Sequence, residues 1–120
     1  MENVVVIGAS NNPERYSNKA MRMLAQYGHR AIPVAPAVSE VEGQPAVARA
    51  EDVSGPVDTV TLYVGPARQA PLLEGIVGLR PRRVIFNPGT ENPDAYARLD
   101  AAGIPYLEAC TLVLLRTGQF

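Results

Sequence analysis

The chain has 120 residues, 47% apolar and 19% charged, with a formal net charge of −1. That length suits one domain, 1–120, with a core of its own. The charge offers no field for nucleic acid or an anionic membrane, and no apolar run approaches the ~20 residues of a membrane span. One cysteine excludes an internal disulfide and suits a reducing, cytoplasmic setting, and Met1 leads into a strand with no signal peptide before it.

The first segment, Val4-Val5-Val6-Ile7, is four β-branched apolar residues in a row and predicts a strand buried on both faces. Gly8-Ala9-Ser10 turns the chain. A polar loop through Pro13 and Arg15 then leads to a helix over 17–28, with Ala20, Met23, Leu24 and Tyr27 on its inner face. Strand, small-residue turn and helix start together make an anion site, because unpaired N–H groups and the helix dipole converge there. Ser10, Arg15, Ser17 and Lys19, the only lysine, flank it. The segment therefore predicts a nucleotide-phosphate site.

Gly28 stops the helix, and Arg30-Ala31-Ile32-Pro33-Val34 predicts a second strand. Residues 35–56 read as irregular, with a short turn near Ala50–Val53. Asp58 to Val64 predicts a third strand, and Gly65-Pro66 opens a second long helix with Ala70, Leu73, Ile76 and Val77 inward. Arg83-Val84-Ile85-Phe86 predicts a fourth strand. Asn92-Pro93 is an N-cap and N1 pair for a third helix that turns Tyr96 and Leu99 inward and ends at Gly103. Pro105-Tyr106-Leu107 predicts a short fifth strand, and Leu112 to Leu115 a terminal helix packed on the sheet.

Alternating strands and helices imply parallel βαβ units with right-handed crossovers. The expected fold is α/β: a doubly wound, Rossmann-like parallel five-stranded sheet of order 3-2-1-4-5, strand 1 central, with helices on both faces. Its core should hold Val4, Val6, Val60, Leu62, Val84 and Phe86. Ligands of such sheets sit beyond the carboxyl ends of the strands. The segments Gly8–Lys19, Val34–Pro36, Val64–Arg68, Asn87–Thr90 and Glu108–Thr111 should therefore converge. An NAD fingerprint needs G-x-G-x-x-G and an acid after strand 2. Here Gly8 is followed by Ser10 and Pro13, and strand 2 ends in Val34-Ala35-Pro36. No Gly-Lys-Ser/Thr marks a Walker loop.

Ile7-Gly8-Ala9-Ser10, then Pro13, Arg15, Ser17 and Lys19, resembles the start of the small CoA-binding proteins. These are single-domain relatives of the CoA-binding domain in the alpha subunit of succinyl-CoA synthetase. The resemblance continues through Gly28, Ile32–Pro36, Gly43, Asp58-Thr59-Val60, Val64-Gly65-Pro66, Asn87-Pro88-Gly89 and Gly103-Ile104 to Cys110, and so covers nearly the whole chain. Ala35 stands where the family usually has Asn, and Asn87 where an aromatic-Gln-Pro-Gly pattern is commoner. The resemblance implies a coenzyme A or acyl-CoA ligand. Its phosphates would meet the turn at Gly8-Ala9 with Ser10, Arg15, Ser17 and Lys19, its adenine or pantetheine arm would be flanked by Pro36 and Pro66, and Val64, Asn87, Pro88, Gly89 and Cys110 complete the expected binding residues. An acid on strand 2 would repel a phosphorylated ribose, so its absence agrees.

No catalytic residue or metal ligand is evident. His29, the only histidine, lies beyond the far end of the first helix, about 18 Å from its start at ~1.5 Å per residue. That is too far to serve Ser10, Ser17 or Cys110 as a base. The synthetase uses a phosphorylated histidine outside its CoA-binding domain. Cys110 reads as a small buried hydrophobe or as a partner for a CoA thiol. The leading expectation is a CoA or acyl-CoA binding module, non-catalytic or accessory. The alternatives are an enzyme on a CoA or nucleotide substrate, with Glu91, Asp94 or Glu108 as its acid, and a nucleotide-sensing regulatory subunit. A homodimer or a protein partner is compatible with either.

Overall fold

In the computed structural model, which describes residues 1–120, the apolar run forms strand β1 (Asn3–Ile7). Successive side chains of a strand point to opposite faces. Val5 and Ile7 accordingly enter one core and Val4 and Val6 another. Both faces of β1 are covered, which is why its sequence is continuous rather than alternating.

Helix α1 (Tyr16–Gln26) returns the chain to strand β2 (Arg30–Val34), parallel to β1. A small hairpin follows, β3 (Glu40–Val41) and β4 (Gln44–Pro45). Its two turn residues, Glu42 and Gly43, both have positive φ (49° and 78°), the geometry of a tight two-residue turn. After a 3-10 turn at Ala50–Asp52 comes β5 (Thr59–Leu62), on the other side of β1. Two more 3-10 turns lead into α2 (Leu73–Gly78). Then come β6 (Arg83–Phe86), α3 (Pro93–Ala102), β7 (Tyr106–Glu108) and α4 (Thr111–Arg116).

The sheet is parallel and five-stranded, of order β2-β1-β5-β6-β7. A single parallel bridge from Val34 to Val47 adds a rudimentary strand outside β2. Counted as strand 3, it completes the 3-2-1-4-5 type of winding. The segment expected as the third strand, Asp58–Val64, thus takes the fourth place, and β5 rather than β1 is the middle of the five. α1 and α4 share the face of Val4, Val6, Met21, Leu24 and Leu115, while α2 and α3 cover that of Val60, Leu62, Ile76, Phe86 and Leu99. The six expected core residues are at most 1% exposed.

Two helices differ from expectation. α1 begins at Tyr16, with Arg15 at the N-cap position, and buries Ser17, Asn18, Ala20, Met21 and Leu24. Tyr27 is left 47% exposed. The inner stripe is rotated because Asn18 is turned inward to brace the preceding loop. The second helix is not long: 66–72 is two 3-10 turns. Pro71 lacks an N–H and crowds the preceding turn, so an α-helix starts only at Leu73, and Ala70 is exposed. α3 follows its sequence signals. The Asn92 side chain accepts from the Asp94 N–H at 3.2 Å, and Gly103 closes the helix at φ 71°.

Candidate functional site

The loop after β1 is fixed by close packing and by its own polar groups. Gly8 has φ 84°, and a Cβ there would lie 2.9 Å from Val64 Cγ2 and 3.1 Å from the Tyr63 carbonyl oxygen. Only glycine suits both the conformation and the approach. The N–H groups of Gly8 and Ala9 both donate to the Val34 carbonyl at 3.2 Å, so they are engaged within the fold. Ser10 Oγ accepts from the Asn12 N–H, and Asn12 Oδ1 from the Glu14 N–H, each at 3.0 Å. Asn18, fully buried, donates from Nδ2 to the Ser10 carbonyl at 2.9 Å. The N–H groups of Tyr16 and Ser17, in the first turn of α1, have no acceptor in the protein. They point the positive end of an eleven-residue helix at the cleft above it.

That cleft, about 250 Å³, lies at the carboxyl edge of the sheet. Gly8, Arg15 and Ser17 bound one side, and Gly65, Gly89 and Thr90 the other. Beside it is a less polar cavity of about 220 Å³, closed by Asn87, Cys110 and Leu112. Tyr16, Tyr63 and Pro88 line both spaces, which are therefore two compartments of one site. One is polar and faces a helix start; the other is apolar and ends at a thiol.

The walls are held by side chains that spend their hydrogen bonds inside the protein. Asn87 is 2% exposed. Its Nδ2 donates to Thr61 Oγ1 at 2.7 Å and to the Leu62 carbonyl at 2.9 Å, and its Oδ1 accepts from the Thr111 N–H at 2.9 Å. It thereby ties β5 and β6 to the start of α4. Gln69, fully buried, donates to the carbonyls of Val64 and Thr90 at 2.8 and 2.7 Å and accepts from Asn92 Nδ2 at 3.0 Å. The hydroxyls of Thr61 and Thr111 meet at 2.7 Å. Beside them the Tyr63 hydroxyl is enclosed without a well-aligned hydrogen bond; burial pushes its pKa up to about 12, and the neighbouring Thr61 and Thr111 hydroxyls offset that only in part.

Of the residues singled out in the sequence, Gly8, Arg15, Ser17, Asn87, Pro88, Gly89 and Cys110 line these compartments. Ala9, Ser10, Val64, Pro36 and Pro66 line neither. Val64 is buried beneath Gly8, while Pro36 and Pro66 are exposed on their loops. Lys19 turns away into a groove between α1 and α4, with its Nζ 5.0 Å from the centre of the Tyr16 ring. Tyr16, Tyr63, Leu112, Asn18 and Gln69 went unrecognised in the sequence. Nothing in a single sequence separates a tyrosine that lines a cleft from one in a core, although Tyr63 stands at the carboxyl end of a recognised strand. His29 accepts from the Glu2 N–H at 3.0 Å, at the opposite edge of the sheet. Two of the three candidate acids are engaged: Glu91 accepts from the Gly89 N–H at 2.9 Å, and Glu108 from the Tyr96 hydroxyl at 2.6 Å; Asp94 lies in the first turn of α3 and does not line either compartment. No group of three or more His, Cys, Asp or Glu side chains is placed to hold a metal ion.

A cleft at the carboxyl edge of a doubly wound sheet, over a helix start, is where this class of α/β protein takes nucleotide-type ligands. The chain belongs to the CoA binding domain family, which it matches over residues 2–116. It is 29% identical over 104 residues to the uncharacterized protein YneT of Bacillus subtilis (strain 168), covering 83% of this chain and 74% of that one. A crystal structure of an uncharacterized protein shares 40% identity at a TM-score of 0.93, over 100% of this chain and 98% of the other. The dinucleotide forming acetyl-coenzyme A synthetase 1 of Ca. Korarchaeum cryptofilum, solved with phosphate and ADP, overlays at a TM-score of 0.77. At 19% identity, over 90% of this chain and 25% of that one, this last likeness concerns the fold.

Proposed function

We propose that the chain binds coenzyme A or an acyl-CoA as a single binding domain, without turnover of its own. The observation that carries the reading is the junction of the two compartments at Tyr16, Tyr63 and Pro88. CoA has the matching order of parts: a diphosphate, then a largely uncharged pantetheine arm ending in a thiol. The diphosphate would take the free N–H groups of Tyr16 and Ser17, the positive end of α1 and the Arg15 guanidinium. The arm would run past Tyr63 and Pro88 toward Leu112 and Cys110. Membership of the CoA binding domain family supports the same ligand. The one histidine is at the far edge of the sheet, away from Ser17 and Cys110; this favours binding over catalysis.

Arg15 makes no ion pair within the protein and is exposed. Removing it should therefore affect the ligand and not the fold. Arg15→Ala should weaken CoA about ten-fold, the scale of one solvent-facing charge-assisted contact, with an unchanged melting temperature of the free protein. Calorimetric titration of both proteins with CoA tests this. Parent-like affinity in the variant would remove Arg15 from the site, and no binding by the parent would end the CoA reading.

A further inference from the structure

The face formed by α1 and α4 carries three cations that form no ion pair; Glu42 approaches one of them only through Asn18, whose Nδ2 donates to Glu42 Oε2 at 3.1 Å. A groove of about 230 Å³ runs between the two helices, lined by Lys19, Arg22, Met23, Gln26, Leu112 and Arg116. No acid lines it, neither helix contains one, and none of the three cations forms an ion pair. In a chain whose formal charge is −1, three cations gathered into one groove make a local positive field that an anion can occupy; only Arg116, in the last turn of α4, has a helix dipole to favour it there. One of them is held in place. Arg22 Nε donates to Asn18 Oδ1 at 2.9 Å and its Nη2 to the Pro13 carbonyl at 3.0 Å. Asn18 is itself fully buried and bonded to the loop after β1. The guanidinium is thus positioned by the same loop that leads to the cleft, with its remaining N–H groups available.

The groove also adjoins the site. Leu112 lines both the groove and the apolar cavity, and the Lys19 ammonium rests over the Tyr16 ring that lines the cleft. Lys19 lies one helical turn beyond Arg15, ~5.4 Å along the axis.

We propose that this groove is a second anion subsite for the same ligand, taking a charged group carried outside the diphosphate. The proposal rests on the CoA reading. Two parts of such a ligand have that chemistry: the 3′-phosphate of the ribose, and a carboxylate at the end of an acyl group on the sulfur. Lys19 and Arg116 would neutralise the group, and Arg22 would orient it.

The test uses parent, Lys19→Ala and Arg116→Ala, each titrated with CoA, dephospho-CoA, butyryl-CoA and glutaryl-CoA at low and high salt. The expected result is that the parent prefers either CoA over dephospho-CoA or glutaryl-CoA over butyryl-CoA by about ten-fold. That preference should shrink to near unity in both variants and fade with salt. The pair that shows it identifies the source. If the parent binds CoA but shows neither preference, or both variants keep it, the subsite is overturned while the CoA reading stands. If the parent binds none of the four, the CoA reading itself has failed, and the subsite with it. Arg116 is exposed and Lys19 partly so, neither forms an ion pair, and Lys19 contacts only the exposed Tyr16 ring, so folding is not the expected variable.

Discussion

Tyr63 and Tyr96 hold their protons above the ordinary phenol range for related reasons. Burial pushes Tyr63 up to about 12. Tyr96 also rises to about 12, through desolvation against Phe86 and Tyr106 and then through the Glu108 carboxylate that accepts its proton. A folded-state pKa raised above the unfolded value of 10 means that, between pH 10 and 12, the native chain keeps protons the unfolded chain has lost. This stability is fully present below pH 10 and declines as pH rises toward 12. The urea midpoint should be flat from pH 8 to 10 and then fall. Tyr63→Phe should flatten that fall, and near pH 8 its stability should stay close to the parent's, since the hydroxyl it removes makes no well-aligned hydrogen bond. Urea titrations with tyrosinate absorbance would show it, and an unchanged slope in the variant would assign the alkaline transition elsewhere. Residue-scale chemistry was only partly legible in the sequence. Gly8 and Arg15 are where the turn and the helix start demanded them. Asn87 was recognised by position, but its side chain clamps strands, because sequence cannot say which way an amide faces.

At the scale of elements, two loops that line the cleft are joined by one side chain. Gln69, in the broken helical segment after β5, bonds the carbonyls of Val64 and Thr90 and the side chain of Asn92, the N-cap of α3. Gln69→Leu keeps similar bulk but leaves two carbonyls and an amide enclosed without partners. It should cost on the order of 3 kcal/mol, seen as a lower urea midpoint at unchanged m value. CoA affinity should fall too, because the loops that carry Gly65 and Gly89 would no longer be tied together into one wall of the cleft. A midpoint equal to the parent's would show that water can replace the glutamine. The elements themselves were legible wherever one signal dominated: an apolar run for β1, the Asn92-Pro93 start and Gly103 stop for α3. They were misread where signals competed. Apolar spacing over 70–77 suggested one helix, and Pro71 broke it. The spacing 20, 23, 24, 27 suggested the inner stripe of α1, and the need of the preceding loop for Asn18 rotated it.

For the whole molecule, the proposed CoA site predicts a preference among nucleotide ligands. An NAD site requires close backbone approach at a second glycine and an acid that receives the ribose hydroxyls at the end of strand 2. Here Ser10 stands in the loop, its hydroxyl already accepting from the Asn12 N–H, and β2 ends in Val34 followed by Ala35 and the exposed Pro36. Beyond the cleft the cavity is apolar and closes at Cys110, which suits an uncharged arm better than a second nucleoside. No helix is long and apolar enough to cross a membrane. A ligand that binds only the native state stabilises it by RT ln(1 + [L]/Kd), about 2.7 kcal/mol at a hundred-fold excess over Kd. For a chain of this size each kcal/mol is worth about 4 °C in melting temperature. CoA at that excess should therefore raise the midpoint by roughly 10 °C. NAD at the same concentration should raise it by much less, having the ADP part in common but neither the 3′-phosphate nor the pantetheine arm. A thermal-shift comparison of CoA, dephospho-CoA, NAD and ADP measures this directly. If NAD stabilises the protein as much as CoA does, the cleft recognises the diphosphate alone and the apolar cavity has no part in choosing the ligand. If ADP shifts the midpoint but CoA shifts it no further, the pantetheine arm lies outside the cavity, and Cys110 and Leu112 are packing residues only.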